Sequence, residues 1–162
     1  MATETKLRQL ADKGCPVYYF YSSERYLVRQ AVTAITRILT ADSDEDATVL
    51  DGAAPEIEQL IMAAGTISFF GTRRVVVLPE IDPAAYSDKD LEELNSTLSS
   101  LENAVVVLGS VFELERSKLK TGKRAQKLIA QCKALGYTEE LAKPKPFELK
   151  LSLIHISEPT RP

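Results

Sequence analysis

The sequence predicts an α/β fold in which a parallel five-stranded sheet carries helices on both faces. Apolar runs of strand length alternate along the chain with amphipathic segments of helix length, which is typical of parallel sheets. The runs Arg73–Leu78 and Ala104–Leu108 are apolar almost throughout, as expected for strands that are covered on both faces. With 162 residues, of which 44% are hydrophobic and 27% charged, the chain has the composition of a globular domain. Its longest apolar runs are too short to span a membrane.

The first third of the chain predicts two helices and a strand between them. Thr3–Lys13 has apolar residues at helical spacing and ends at Gly14. Val17–Tyr21 is rich in aromatic and β-branched residues, which favours a strand. Ser23 is placed to cap the next helix. The predicted apolar face of that helix consists of Leu27, Ala31, Ile35, Ile38 and Leu39.

The middle of the chain continues the alternation. Thr48–Leu50 predicts a second strand that ends in a turn at Asp51 and Gly52. Pro55 suits the first turn of a helix over Pro55–Ala64. Proline lacks an amide N–H, and the amides of the first turn have no acceptor within the helix.

The last third predicts two more helices and the fifth strand. Ser87 precedes an acidic residue by three positions, which resembles a capping box and predicts a helix over Asp88–Leu101. A basic stretch from Ser117 to Ala134 is interpreted as one helix that is closed by Gly136. The run Tyr137–Leu141 predicts the last strand.

The first strand-to-helix turn is where a parallel sheet would bind a phosphate. A loop that cradles phosphate needs glycines, followed by a lysine and a hydroxyl. None of the seven glycines lies within Tyr21–Arg25, and no lysine follows. Thr121–Arg124 is a nearer match, but it lacks the upstream glycine, so we interpret it as a helix start. We therefore expect no bound cofactor.

Acidic residues after the strands offer a weak signal for metal or phosphate chemistry. Asp51 is interpreted as part of an Asp-Gly turn rather than as a phosphoacceptor. Glu80 and Asp82 resemble metal-binding acids, but the flanking prolines favour a rigid turn. No nucleophile, base and orienting group come together in the pattern, so we expect no catalytic residues and no metal site.

Adjacent aromatic residues, Phe69 and Phe70, lie between a helix end and a strand. Neighbouring side chains of an extended segment point to opposite sides, so at least one ring is a candidate for an exposed interface. Phenylalanine is also among the most buried residue types. Core packing therefore stays open as the alternative.

Charge is unevenly distributed. The segment from Arg116 to Lys133 carries +7, so the remainder of a chain of net charge −3 carries −10. A cationic face can meet nucleic-acid phosphates or an acidic partner, and a solvated helix face is the equally weighted alternative. The residues that could contact a DNA backbone are Lys118, Lys120, Lys123, Arg124 and Lys127.

The last twelve residues, Leu151–Pro162, resemble the translation of a sequencing-adaptor sequence. We treat them as a non-native tail and expect the folded domain to span residues 1–150. The tail contains His155, the one histidine of the chain, so a histidine-based site is not expected. Cys15 and Cys132 form no C-x-x-C motif, which favours a reducing, cytoplasmic setting.

In the order and spacing of its segments, the chain resembles the amino-terminal domain of the delta subunit family of the bacterial DNA polymerase III clamp loader. The resemblance covers residues 1–150. The segments that carry it most clearly are Val17–Leu27, Leu50–Gly52, Phe69–Val77, Ala104–Leu108 and Phe147–Leu149.

The resemblance implies a fold like that of the AAA+ ATPases, with a degenerate nucleotide site. It also implies a non-catalytic subunit of a polymerase holoenzyme that binds the ring-shaped sliding clamp (the beta subunit) and opens it during DNA replication. Two adjacent apolar residues make the clamp contact in this family, and Phe69 and Phe70 match them. The family continues into a lid domain and a helical collar domain. Assembly with the other loader subunits runs mainly through the collar in this family, so we expect this chain to bind the clamp but not to join the loader. A nucleotide-binding or phosphotransfer α/β enzyme is the alternative.

Overall fold

A computed structural model describes residues 7–9, 12, 14–41, 46–65, 74–101 and 104–141. The predicted Phe69–Phe70 pair and the tail Leu151–Pro162 lie outside these residues. The strands are β1 (Val17–Ser22), β2 (Thr48–Val49), β3 (Arg74–Leu78), β4 (Ala104–Val111), β5 (Glu113–Glu115), β6 (Lys118–Lys120) and β7 (Tyr137–Glu140). The helices are α1 (Arg25–Thr40), α2 (Ile57–Gly65), α3 (Asp88–Ser99) and α4 (Gly122–Leu135), with a 3-10 turn at Pro83–Ala85.

Five strands form one parallel sheet in the order β2-β3-β4-β1-β7, which confirms the predicted fold class. The centre of the sheet is in register across three strands, because Val106 pairs with Val17 on one side and with Val76 on the other. None of the helices in the described part of the chain is long and apolar enough to cross a bilayer.

Alternate residues of the strands fill two cores, one on each face of the sheet. The first core contains Val17, Tyr19, Val76, Leu78, Val106 and Leu108, and it is covered by α2, α3 and α4. The second contains Tyr18, Phe20, Val75, Val77, Val105 and Val107, and it is covered by α1. Both sets are buried, so the apolar strand runs reflect coverage on both faces, as the sequence predicts.

Two predicted helix starts are wrong by one or two residues. Glu24, not Ser23, lies at the N-cap of α1, and its side chain makes no capping bond there. The strand β1 runs on to Ser22, whose Oγ accepts a hydrogen bond from the Glu24 amide at 3.0 Å. The next helix begins at Ile57 rather than at Pro55. Prediction of the Ser87 cap is confirmed, since its Oγ accepts from the amide three residues later.

The basic segment is not one helix, as predicted, but a hairpin followed by a helix. Strands β5 and β6 pair in antiparallel fashion, and two residues, Arg116 and Ser117, join them. Both have positive φ, at 52° and 68°, as a type I′ turn requires. The helix α4 then begins at Gly122, which confirms that Thr121–Arg124 is a helix start.

The predicted end of α4 at Gly136 is confirmed, and the reason is close packing. The Gly136 amide donates to the Cys132 carbonyl at 2.8 Å. A Cβ at this position would collide with the Val17 carbonyl of β1. The absence of a side chain therefore lets β7 lie beside β1 immediately after α4 ends.

Candidate functional site

The carboxyl ends of β1, β3 and β4 open onto a cleft of about 790 Å³, the place where parallel sheets bind ligands. We call it the strand-end cleft. Its lining comes from the turn before α1, the turn after β3, the β5–β6 hairpin and the start of α4. The residues are Ser23, Glu24, Arg25, Ala53, Glu80, Ile81, Asp82, Ala84, Val111, Phe112, Glu113, Leu114, Lys120, Thr121 and Gly122.

The turn between β1 and α1 is too short to wrap a phosphate. Only Ser23 and Glu24 separate the strand from the helix. The Glu24 amide donates to the Ser22 hydroxyl, and the Glu24 carbonyl accepts from the Leu27 and Val28 amides. A phosphate loop would instead direct several free amides at the ligand from a glycine-rich stretch. This geometry disfavours the phosphotransfer alternative.

The acidic residues after β3 have structural partners. Glu80 Oε1 accepts from Arg25 Nε at 2.8 Å across the strand-end cleft, with both side chains partly exposed. Asp82 Oδ1 accepts from the Ala84 amide at 3.0 Å and caps the 3-10 turn. The turn that the flanking prolines predict is present, and it includes a 3-10 segment at Pro83–Ala85. Within the described ranges, no three His, Cys, Asp or Glu side chains are grouped to hold a metal ion.

A buried hydrogen-bond chain ends at Ile81, one of the residues that line the strand-end cleft. Ser110 Oγ donates to the Ile81 carbonyl at 2.8 Å, and Tyr19 Oη lies 2.7 Å from the same Oγ. Because the serine has a single proton, Tyr19 must be the donor to Ser110. Burial raises the pKa of Tyr19 above its usual value, so the phenol stays protonated. The chain ties β1 and β4 to the turn after β3, and no residue pattern in the sequence predicts it.

The buried cysteine offers no nucleophile. Cys132 lies in the core between α4 and the sheet, and burial raises its pKa to about 12. The reactive form of a cysteine is the thiolate. At neutral pH this side chain therefore packs as a small apolar group.

The elements before and after Phe69 and Phe70 in the sequence are α2 and β3. Ile57 and Leu60 anchor α2 in the core, and the strand β3 is buried from Val75 onward. Ile61 and Met62 on the same helix are exposed, at 51% and 67%. Sequence reasoning missed these two residues, although apolar residues in excess of one helical face are a usable signal.

The five candidate DNA contacts are split between two elements. Lys118 and Lys120 lie on β6, whereas Lys123, Arg124 and Lys127 lie on α4. All five are exposed. Arg124 Nε lies 3.1 Å from Asp88 Oδ1, and Lys120 Nζ lies 3.9 Å from Glu115 Oε2. Lys123 and Lys127, one helical turn apart, form the most coherent basic pair.

Comparison with known proteins agrees with this architecture. The chain is 28% identical to the DNA polymerase III subunit delta of Bacillus subtilis, over 76% of this chain and 39% of that protein. A solved DNA polymerase III gamma subunit-related protein from Thermotoga maritima superposes with a TM-score of 0.61 at 15% identity, covering 90% of this chain and 48% of the other. That structure shares the fold. The chain thus spans about two fifths of its curated relative and about half of the structural one.

The family model for "DNA polymerase III, delta subunit" matches residues 18–135. The match runs from β1 to the end of α4 and includes the strand-end cleft and the basic residues. The matched residues contain four of the five strands of the parallel sheet, since β7 follows the end of the match. The chain therefore belongs to the DNA polymerase III delta subunit family.

Proposed function

We propose that this domain is the clamp-binding part of a clamp-loader subunit, and that it helps to open the sliding clamp without catalysing a reaction itself. The observation that carries the proposal is the family match over residues 18–135. The short turn between β1 and α1 supports it, because the domain has kept the sheet of a nucleotide-binding fold without a loop that could hold phosphate.

The proposed clamp contact is made by Phe69 and Phe70. The exposed apolar side chains Ile61 and Met62 on the preceding helix support an interface in this region, since apolar and aromatic residues are enriched at the centre of protein interfaces. Burial of two aromatic rings provides a large apolar area with few rotatable bonds.

The other partners follow from the same proposal. The remaining loader subunits are the partners of the full-length protein, and DNA is a weak, salt-sensitive contact of the basic residues on β6 and α4. The cytoplasm, where replication takes place, is the proposed location.

Equilibrium binding to the purified cognate clamp tests the proposal. The 162-residue chain should form a complex with the clamp that is visible by sedimentation velocity at micromolar concentrations. An unrelated ring protein serves as the control for specificity. A chain that is folded by circular dichroism and does not bind the clamp at any tested concentration would overturn the proposal.

A further inference from the structure

We draw no further inference here: the strongest candidate, the apolar groove of about 320 Å³ between α1 and the edge strand β2, carries no proposal because nothing in the described part of the structure shows what covers it.

Discussion

At the scale of single residues, Ser110 links β1 and β4 to the turn after β3 through two buried hydrogen bonds. Its hydroxyl accepts from Tyr19 and donates to the Ile81 carbonyl. The side chains of Tyr19 and Ser110 are completely buried, so each hydrogen bond that is removed leaves a polar group without water. Tyr19 and Ser110 differ in the number of hydrogen bonds that depend on them. Removal of the Ser110 hydroxyl affects two polar groups, whereas removal of the Tyr19 hydroxyl affects one.

Ser110→Ala should therefore destabilise the domain more than Tyr19→Phe. The serine substitution leaves both the Tyr19 hydroxyl and the Ile81 carbonyl unsatisfied and should cost about 2–3 kcal/mol. Tyr19→Phe removes one donor, leaves the Ser110–Ile81 bond in place and should cost about 1 kcal/mol. Urea denaturation of both variants measures the difference. Equal losses, or the reverse order, would contradict the assigned direction of the hydrogen bonds.

Cys132 gives the domain a specific response to alkaline pH. Burial raises the pKa of the thiol from 9.0 to about 12, so the native state keeps a proton that the unfolded chain releases above pH 9. The stabilisation is complete below pH 9 and is lost as the pH rises toward 12. The free energy of unfolding should fall by about 1.4 kcal/mol per pH unit in that window.

Cys132→Ala should flatten the fall in stability between pH 9 and 10, although it lowers stability at pH 7 by about 1 kcal/mol through lost apolar burial. Urea titrations of both proteins at pH 7, 9 and 10 provide the comparison. Tyrosines titrate in both proteins, so only the difference between the curves reports on the thiol. Parallel curves across this range would show that Cys132 does not couple to folding.

At the scale of elements, the sequence predicts the features that carry a recognised local signal and misses those that do not. The apolar runs of β1, β3 and β4 locate the strands, and Ser87 locates a helix start, because each signal is local. The hairpin β5–β6 is not predicted from the sequence, because its turn residues, Arg116 and Ser117, are not the Asn-Gly or Asp-Gly pairs that mark type I′ turns. The strand-end cleft is not predicted either, since the residues that line it are far apart in the sequence.

The split of the basic segment into hairpin and helix changes the expected DNA contact. Lys123 and Lys127 share one face of α4, whereas Arg124 and Lys120 have acidic neighbours. Duplex DNA should bind weakly, with an affinity that falls as salt rises. Lys123→Gln/Lys127→Gln should reduce the slope of log affinity against log salt by about 2, because each lost phosphate contact contributes about 0.9.

Fluorescence anisotropy with a labelled duplex across a salt series measures this slope. The matched control, Arg29→Gln/Arg37→Gln, removes the same charge from α1, on the opposite face of the sheet, and should leave the slope unchanged. A larger effect of the control pair, or an affinity that does not depend on salt, would exclude α4 as the contact.

The turn between β1 and α1 makes a prediction about nucleotides. Its two residues cannot direct several amides at a phosphate. Magnesium ATP should therefore leave the melting temperature unchanged. A nucleotide at a hundred times its dissociation constant would stabilise a fold by about 2.7 kcal/mol, which is several degrees for a domain of this size. A dose-dependent rise would support the phosphotransfer alternative.

At the scale of the whole molecule, the proposed function requires a small domain to bind a closed ring tightly enough to help open it. The sheet is covered on both faces, and α2 and β3 are the elements that precede and follow Phe69 and Phe70 in the sequence. Binding energy then has to come from a few apolar side chains. The sequence identifies the aromatic pair, but adjacency alone cannot distinguish a core role from an interface role.

Phe69→Ala/Phe70→Ala should separate these roles. Each buried phenyl ring contributes about 2 kcal/mol by its apolar area, and aromatic anchors at the centre of an interface often contribute at least that. Loss of both should weaken clamp binding by about 10²- to 10³-fold. If the rings instead belong to the core, the variant would lose several kcal/mol of stability through cavity formation, so the melting temperature must be measured on the same sample.

The matched control is Tyr26→Ala, which removes an aromatic ring that is 50% exposed on α1 and should change neither quantity. Weakened binding with an unchanged melting temperature assigns the rings to the clamp, whereas unchanged binding by a stable variant assigns the contact to another surface.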